Sequence, residues 1–309
     1  MTNGLARPLA GCMVNLSISE SEDTDRQGFP GWQVNRVTLQ IVAALFGQGA
    51  SLAFGHDWRE DGVMEAVHGF ARQAQPPVPL QPAAAEAARQ PLLLNLLPWP
   101  DEPMLAPSDL ERLRSTLRIE PAGLPENLQP FAAEALRDRG SPLYRYLRAR
   151  GLTFLRHRLT EACDARFCLG GRRHGSSGRF PGVIEEAYLA LRAGRPLFVT
   201  GLLGGASQQV VDAILGRGMV REFCNPEGLP ALPLYDPPPI PEPPDTADDR
   251  MTRRERVWEA FVRAGPKGLA DANALTVEQN IELFEAPALD RVIELVLAGL
   301  CRIRRRGAR

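Results

Sequence analysis

The first sustained apolar run, "CMVNLSI" over 12–18, is short and ends in the polar cluster "SESED" and a turn-rich "GFPGW", the pattern of a buried strand followed by a connection. Val34, Val37, Ile41 and Leu45 then recur at helical spacing until Gly47 and Gly49 stop the pattern. "SLAFGHD" (51–57) reads as a second strand and "DGVMEAVHGFARQA" (61–74) as a second helix. A Pro/Ala stretch precedes "LLLNLLPWP" (92–100), a third buried strand. Residues 100–150 are polar and read as a helical or irregular insertion. Beyond them "GLTFLRHRLTEAC" is a helix, "ARFCLGG" a strand, "GVIEEAYLALRAG" a helix, "RPLFVTG" a strand and "GGASQQVVDAILGRG" a helix. Repeated strand, turn and helix units predict an α/β fold, a Rossmann-like, doubly wound, mostly parallel sheet with helices on both faces. Its ligand site is expected at the carboxyl ends of the strands.

The sheet domain is expected over 10–228. A proline-rich linker over 229–250 follows, and then a small helical annex over 251–309. Five cysteines show no CxxC pair and no zinc spacing, which predicts reduced, mostly buried thiols and a cytoplasmic protein. "LAGC" at 9–12 looks like a lipoprotein cleavage box, but no apolar segment precedes it, so no membrane anchor is expected.

Charge narrows the partners. With 36 basic and 37 acidic residues, a net charge of −1 offers no extended nucleic-acid surface. Lys267 is the only lysine, so local recognition of phosphate falls to arginine forks and backbone amides. No Walker A loop, GxSxG elbow or HExxH motif is present, and no metal or cofactor is implied.

The richest segment is Phe167 to Leu215. Gly170 and Gly171 follow a strand and Gly182 opens a helix, so the loop between them directs amides toward a helix N-terminus, an arrangement that favours bound phosphate. Arg172, Arg173 and Arg179 add forked donors, Ser176 and Ser177 add hydroxyls, and Gly178 lets the loop turn. Glu185 and Glu186, in the first helical turn, either complement the helix dipole or grip a ribose, and Glu185 or Glu186 is the acid/base if an N-glycosidic bond is cleaved. Gly204 and Gly205 repeat the strand, glycine, helix arrangement. At the first strand end Ser17, Ser19, Glu20 and Asp23, and at the second Gly55, His56 and Asp57, form either turns or ligand contacts.

Together these residues resemble the SLOG superfamily, the Rossmann-like group that includes the Smf/DprA and LOG proteins and prokaryotic nucleotide-sensing domains. The resemblance covers about residues 10 to 220 and rests on Gly170-Gly171, on "GVIEE" at 182–186, and on "LSISES" and "LAFGHDWREDGVMEAV". It implies a nucleotide- or ADP-ribose-like ligand that is sensed, with a role in bacterial defence or stress signalling. It also implies a homo-oligomer and a possible partner effector protein. The alternatives are a LOG-like phosphoribohydrolase and a non-catalytic interaction scaffold. The threonine of the LOG motif is replaced by Val183, which has no hydroxyl to donate to phosphate.

Overall fold

The computed structural model describes residues 7–55, 64–74, 92–102, 107–114, 116–175, 178, 180–218 and 247–307. Six strands form one parallel sheet: β1 (Met13–Ser19), β2 (Ser51–Gly55), β3 (Leu93–Pro98), β4 (Leu117–Gly123), β5 (Ala165–Gly170) and β6 (Leu197–Thr200). Their spatial order is β4-β3-β2-β1-β5-β6. The chain therefore winds outward from β1 in one direction, crosses back after β4, and winds outward in the other.

Helices cover both faces. α1 (Gly31–Gly47) and α2 (Met64–Ala74) lie on one face, where Val34, Val37, Ile41 and Leu45 pack against Val14, Leu52 and Phe167. α5 (Pro142–Ala162) and α6 (Gly182–Arg192) lie on the other, with α7 (Gly205–Ile214) following β6. Leu155 and Leu159 of α5 meet Met13, Ala53, Leu94 and Leu96 there. The strands β1, β2, β3 and β5 are buried almost throughout, as a sheet sandwiched between helices requires.

Residues 100–150, expected to be a helical or irregular insertion, contain α3 (Pro107–Leu113), the edge strand β4, a short 3-10 turn and α4 (Ala132–Arg137). β4 carries Pro121 and has exposed positions at Arg118 and Pro121, as suits an edge strand. α5 begins at a serine cap, Ser141 Oγ accepting the Tyr144 N–H at 3.1 Å.

The C-terminal helices are α8 (Ala247–Asn273, broken at Gly265), α9 (Val277–Glu285) and α10 (Leu289–Gly307). They lie on the sheet and its helices. Val257, Phe261 and Leu269 share a core with α6 and α7, while Val292, Leu295 and Leu300 share one with α1 and Phe198. They also take up polar groups along the outer edge of β6: Asn273 Nδ2 donates to the Leu197 carbonyl at 2.9 Å, and the Gly201 N–H donates to the Phe284 carbonyl at 3.0 Å.

Cys12, Cys163 and Cys168 are buried free thiols whose pKa burial pushes up to about 12, and Cys301 is half-buried. Cys224 and most of the 229–250 segment lie outside the described residues.

Candidate functional site

The winding reverses between β1 and β5, and in open parallel sheets ligands bind outside the carboxyl ends of the strands at that reversal. Here β1 and β5 run in register to Ser19 and Gly170. The Gly171 N–H donates to the Ser19 carbonyl at 3.0 Å, and the Ala206 N–H to the Gly171 carbonyl at 2.8 Å. Ser207 Oγ accepts the Gly170 N–H at 2.8 Å and donates to the Gly204 carbonyl at 3.0 Å. The two glycine turns are thus bonded to each other. Side chains are excluded by space and by conformation: Gly170 (φ 68°) and Gly205 (φ 66°) adopt left-handed backbone, and a Cβ would strike the Ser19 and Gly171 carbonyl oxygens, respectively.

The loop after β1 closes onto these turns with two carboxylates. Ser21 Oγ donates to the Leu203 carbonyl at 2.7 Å and accepts the Asp23 N–H at 3.1 Å. Asp23 Oδ2 accepts the Gly205 N–H at 2.9 Å, at the N-terminus of α7, and Oδ1 accepts Arg173 Nη2 at 2.9 Å and a bond from Arg26. Partial burial works against ionisation of Asp23. The Gly205 N–H and the guanidinium groups of Arg173 and Arg26 outweigh it and hold the carboxyl below its ordinary pKa. Glu22 takes the Arg173 N–H at 3.0 and 3.2 Å and the His174 N–H at 3.3 Å, with Arg173 Nε 3.5 Å away.

Behind the loop, on the α5/α6 face, lies a buried cluster of four charges. Glu185 is 5% exposed, its Oε1 accepting Thr153 Oγ1 at 2.7 Å and its Oε2 paired with Arg156. Glu186 is 3.6 Å from Arg156 Nε and 3.2 Å from Arg166 Nη1. Arg166, 1% exposed, donates to Ser17 Oγ at 3.1 Å and Thr160 Oγ1 at 2.9 Å, while its Nε has no hydrogen-bond partner. Burial disfavours the charge on Arg156, yet Glu185 and Glu186 outweigh that and raise its pKa. A Cβ on Gly178 would come within 2.8 Å of Arg156 Nη1, and one on Gly182 within 3.0 Å of Nη2, so the glycine loop rests on this guanidinium.

The family model described as SLOG cluster2 matches residues 8–283. The chain belongs to SLOG cluster2. No curated protein and no solved structure matches it. Membership points to a nucleotide-related function. In this SLOG cluster2 chain no described helix is long and apolar enough to cross a membrane. Among the described residues no group of three or more His, Cys, Asp and Glu is placed to hold a metal ion.

The residues singled out in the sequence fall in different places. Ser19, Gly170, Gly171, Arg173, Gly204 and Gly205 come together at the reversal point, with Arg172 exposed beside them. Glu20, at the end of β1, lies instead against Gly31 in the first turn of α1. Ser17, Glu185 and Glu186 lie beneath the sheet ends, bonded to arginines, and Gly178 and Gly182 lie above them. Gly55 packs against Leu155 and Leu159 of α5. His56, Asp57, Ser176, Ser177 and Arg179 lie outside the described residues.

Sequence reasoning passed over Glu22, Arg156 and Arg166. Arg156 falls among Leu155, Leu159 and Thr160 on the buried side of α5, and Arg166 interrupts an otherwise apolar buried strand. A charge in a buried stripe needs a partner of opposite sign, and that was the available signal.

Proposed function

We propose that the chain binds a nucleotide or ADP-ribose-like ligand at the β1/β5 reversal point and acts as a sensor of it. One observation carries the reading: the N–H groups of Arg173, His174 and Gly205, with the Arg173 guanidinium, all point at anionic oxygens there. Backbone amides gathered at a glycine turn and a helix start are the usual cradle for phosphate. In open parallel sheets the crevice at such a reversal is where the rest of a nucleotide lies.

Sensing is favoured over hydrolysis by the state of the two acids. A general acid or base must exchange a proton with the substrate at hydrogen-bond distance. Both oxygens of Glu185 are already bonded, and Glu186 sits between two arginines. In this reading the protein works in the bacterial cytoplasm in defence or stress signalling, as a homo-oligomer or with a partner effector that responds to the bound state.

The test is a thermal-shift panel on the full chain with nucleoside monophosphates, NAD, ADP-ribose and cyclic ADP-ribose isomers, beside Arg172→Ala. The expected outcome is a ligand-specific rise in Tm that the variant reduces, with the ligand recovered intact by chromatography. Release of free base would move the assignment to a nucleosidase. No shift at millimolar ligand would remove the nucleotide reading.

A further inference from the structure

The anion cradle at the reversal point is already filled, by two carboxylates held in very different ways. Asp23 is fastened from several sides: the Gly205 N–H, its own N–H on Ser21 Oγ, Arg26 and Arg173, with its side chain 12% exposed. Glu22 has a long side chain, 34% exposed, and every contact it makes in the cradle is to two consecutive residues of the glycine loop. The Arg173 and His174 amides converge on it as they would on a phosphoryl oxygen. An exposed ion pair contributes little, and holding a glutamate side chain in one rotamer offsets much of that. A phosphoryl group brings more acceptor oxygens and a larger charge to the same donors.

We propose that Glu22 is an exchangeable occupant of the phosphoryl subsite. In the free protein its carboxylate satisfies the Arg173 and His174 N–H groups, and a phosphate-bearing ligand displaces it from them, while Asp23 stays in place as the permanent cap of α7. Glu22 is then a competitor carried by the chain, and it sets the ligand concentration at which the site fills. This inference rests on the proposed ligand reading and deepens it by naming the subsite and what must leave it. The chemistry it takes is a phosphate monoester or diphosphate.

The experiment is isothermal titration of the full chain and of Glu22→Ala with inorganic phosphate, AMP and ADP-ribose, with Asp25→Asn as a control that removes a like charge from the same loop without vacating the amides. Backbone amide shifts of Arg173 and His174 are followed in parallel. Glu22→Ala is expected to bind the phosphate-bearing probes roughly two- to five-fold tighter, the size of one lost exposed ion pair, with Asp25→Asn close to wild type. In the wild type the two amides are expected to shift as phosphate is added. Inorganic phosphate binding as well as AMP marks a monoester subsite, and ADP-ribose binding alone marks a diphosphate one. Equal or weaker binding by Glu22→Ala, or equal tightening by Asp25→Asn, overturns the role of Glu22 while leaving the ligand reading intact. Failure of wild type and Glu22→Ala alike to bind any probe removes both.

Discussion

Glu185 and Arg156 show how far apart a residue's position in a motif and its environment can be. Both are nearly closed off from water, and Arg156 holds its charge there because Glu185 and Glu186 face it. Glu185→Ala leaves the Arg156 guanidinium buried with only Glu186 near it, and the expected loss is about 3–5 kcal/mol in urea unfolding, the usual effect of removing one partner of a buried pair. Replacing both, as Arg156→Met with Glu185→Leu, is expected to recover most of that loss, because no unpaired charge remains. Equal destabilisation in the two variants would mean that packing, not charge, dominates there. The motif "GVIEE" placed these acids at the start of a helix and left open whether they complement its dipole or meet a ligand. What it could not convey was Arg156, distant in sequence on α5 and reaching them only once the helices pack.

At the scale of elements, the tie between the β1 loop and α7 runs through Asp23. Because its folded pKa lies below its ordinary value, its contribution to stability is present above that ordinary value and is lost as pH falls through the lowered one. Asp23→Asn is therefore expected to unfold at lower urea than wild type at neutral pH, with a gap that stays constant to about pH 5 and narrows below about pH 4. A gap independent of pH would assign the effect to side-chain shape. Strands and helices flanked by glycine were legible in the chain because each turn carries its own punctuation. β4 was not: "LRIEPAG" is polar with a central proline, and only pairing with β3 makes it a strand.

For the whole molecule, the doubly wound sheet followed from the repeated units, while the place where it reverses, between β1 and β5, came only with the strand order. The role of the last helices was less legible. Amphipathic spacing over 251–309 announces an apolar face and says nothing of what covers it, and the proline-rich 229–250 reads as a spacer. In the fold that face is covered by α6, α7, β6 and α1. A chain ending before residue 247 is expected to lose its monodisperse profile in size-exclusion chromatography and to aggregate, because Phe198, Val210 and Val211 lose their cover. A stable, well-dispersed truncation would show that the sheet is self-sufficient.

The outer edge of β6 also has a history in time. Gly201 and Leu197 are bonded by Phe284 and Asn273, and Phe198 is packed by Gly299, so the strand leaves the ribosome about a hundred residues before its last neighbour does. At ordinary elongation rates of roughly 5–20 residues per second, that interval is on the order of 5–20 s for each newly made molecule. Until Asn273 and Phe284 have emerged, the nascent chain presents an unpaired strand edge flanked by apolar side chains, the kind of surface that chaperones hold and that neighbouring nascent chains on the same messenger would otherwise pair with.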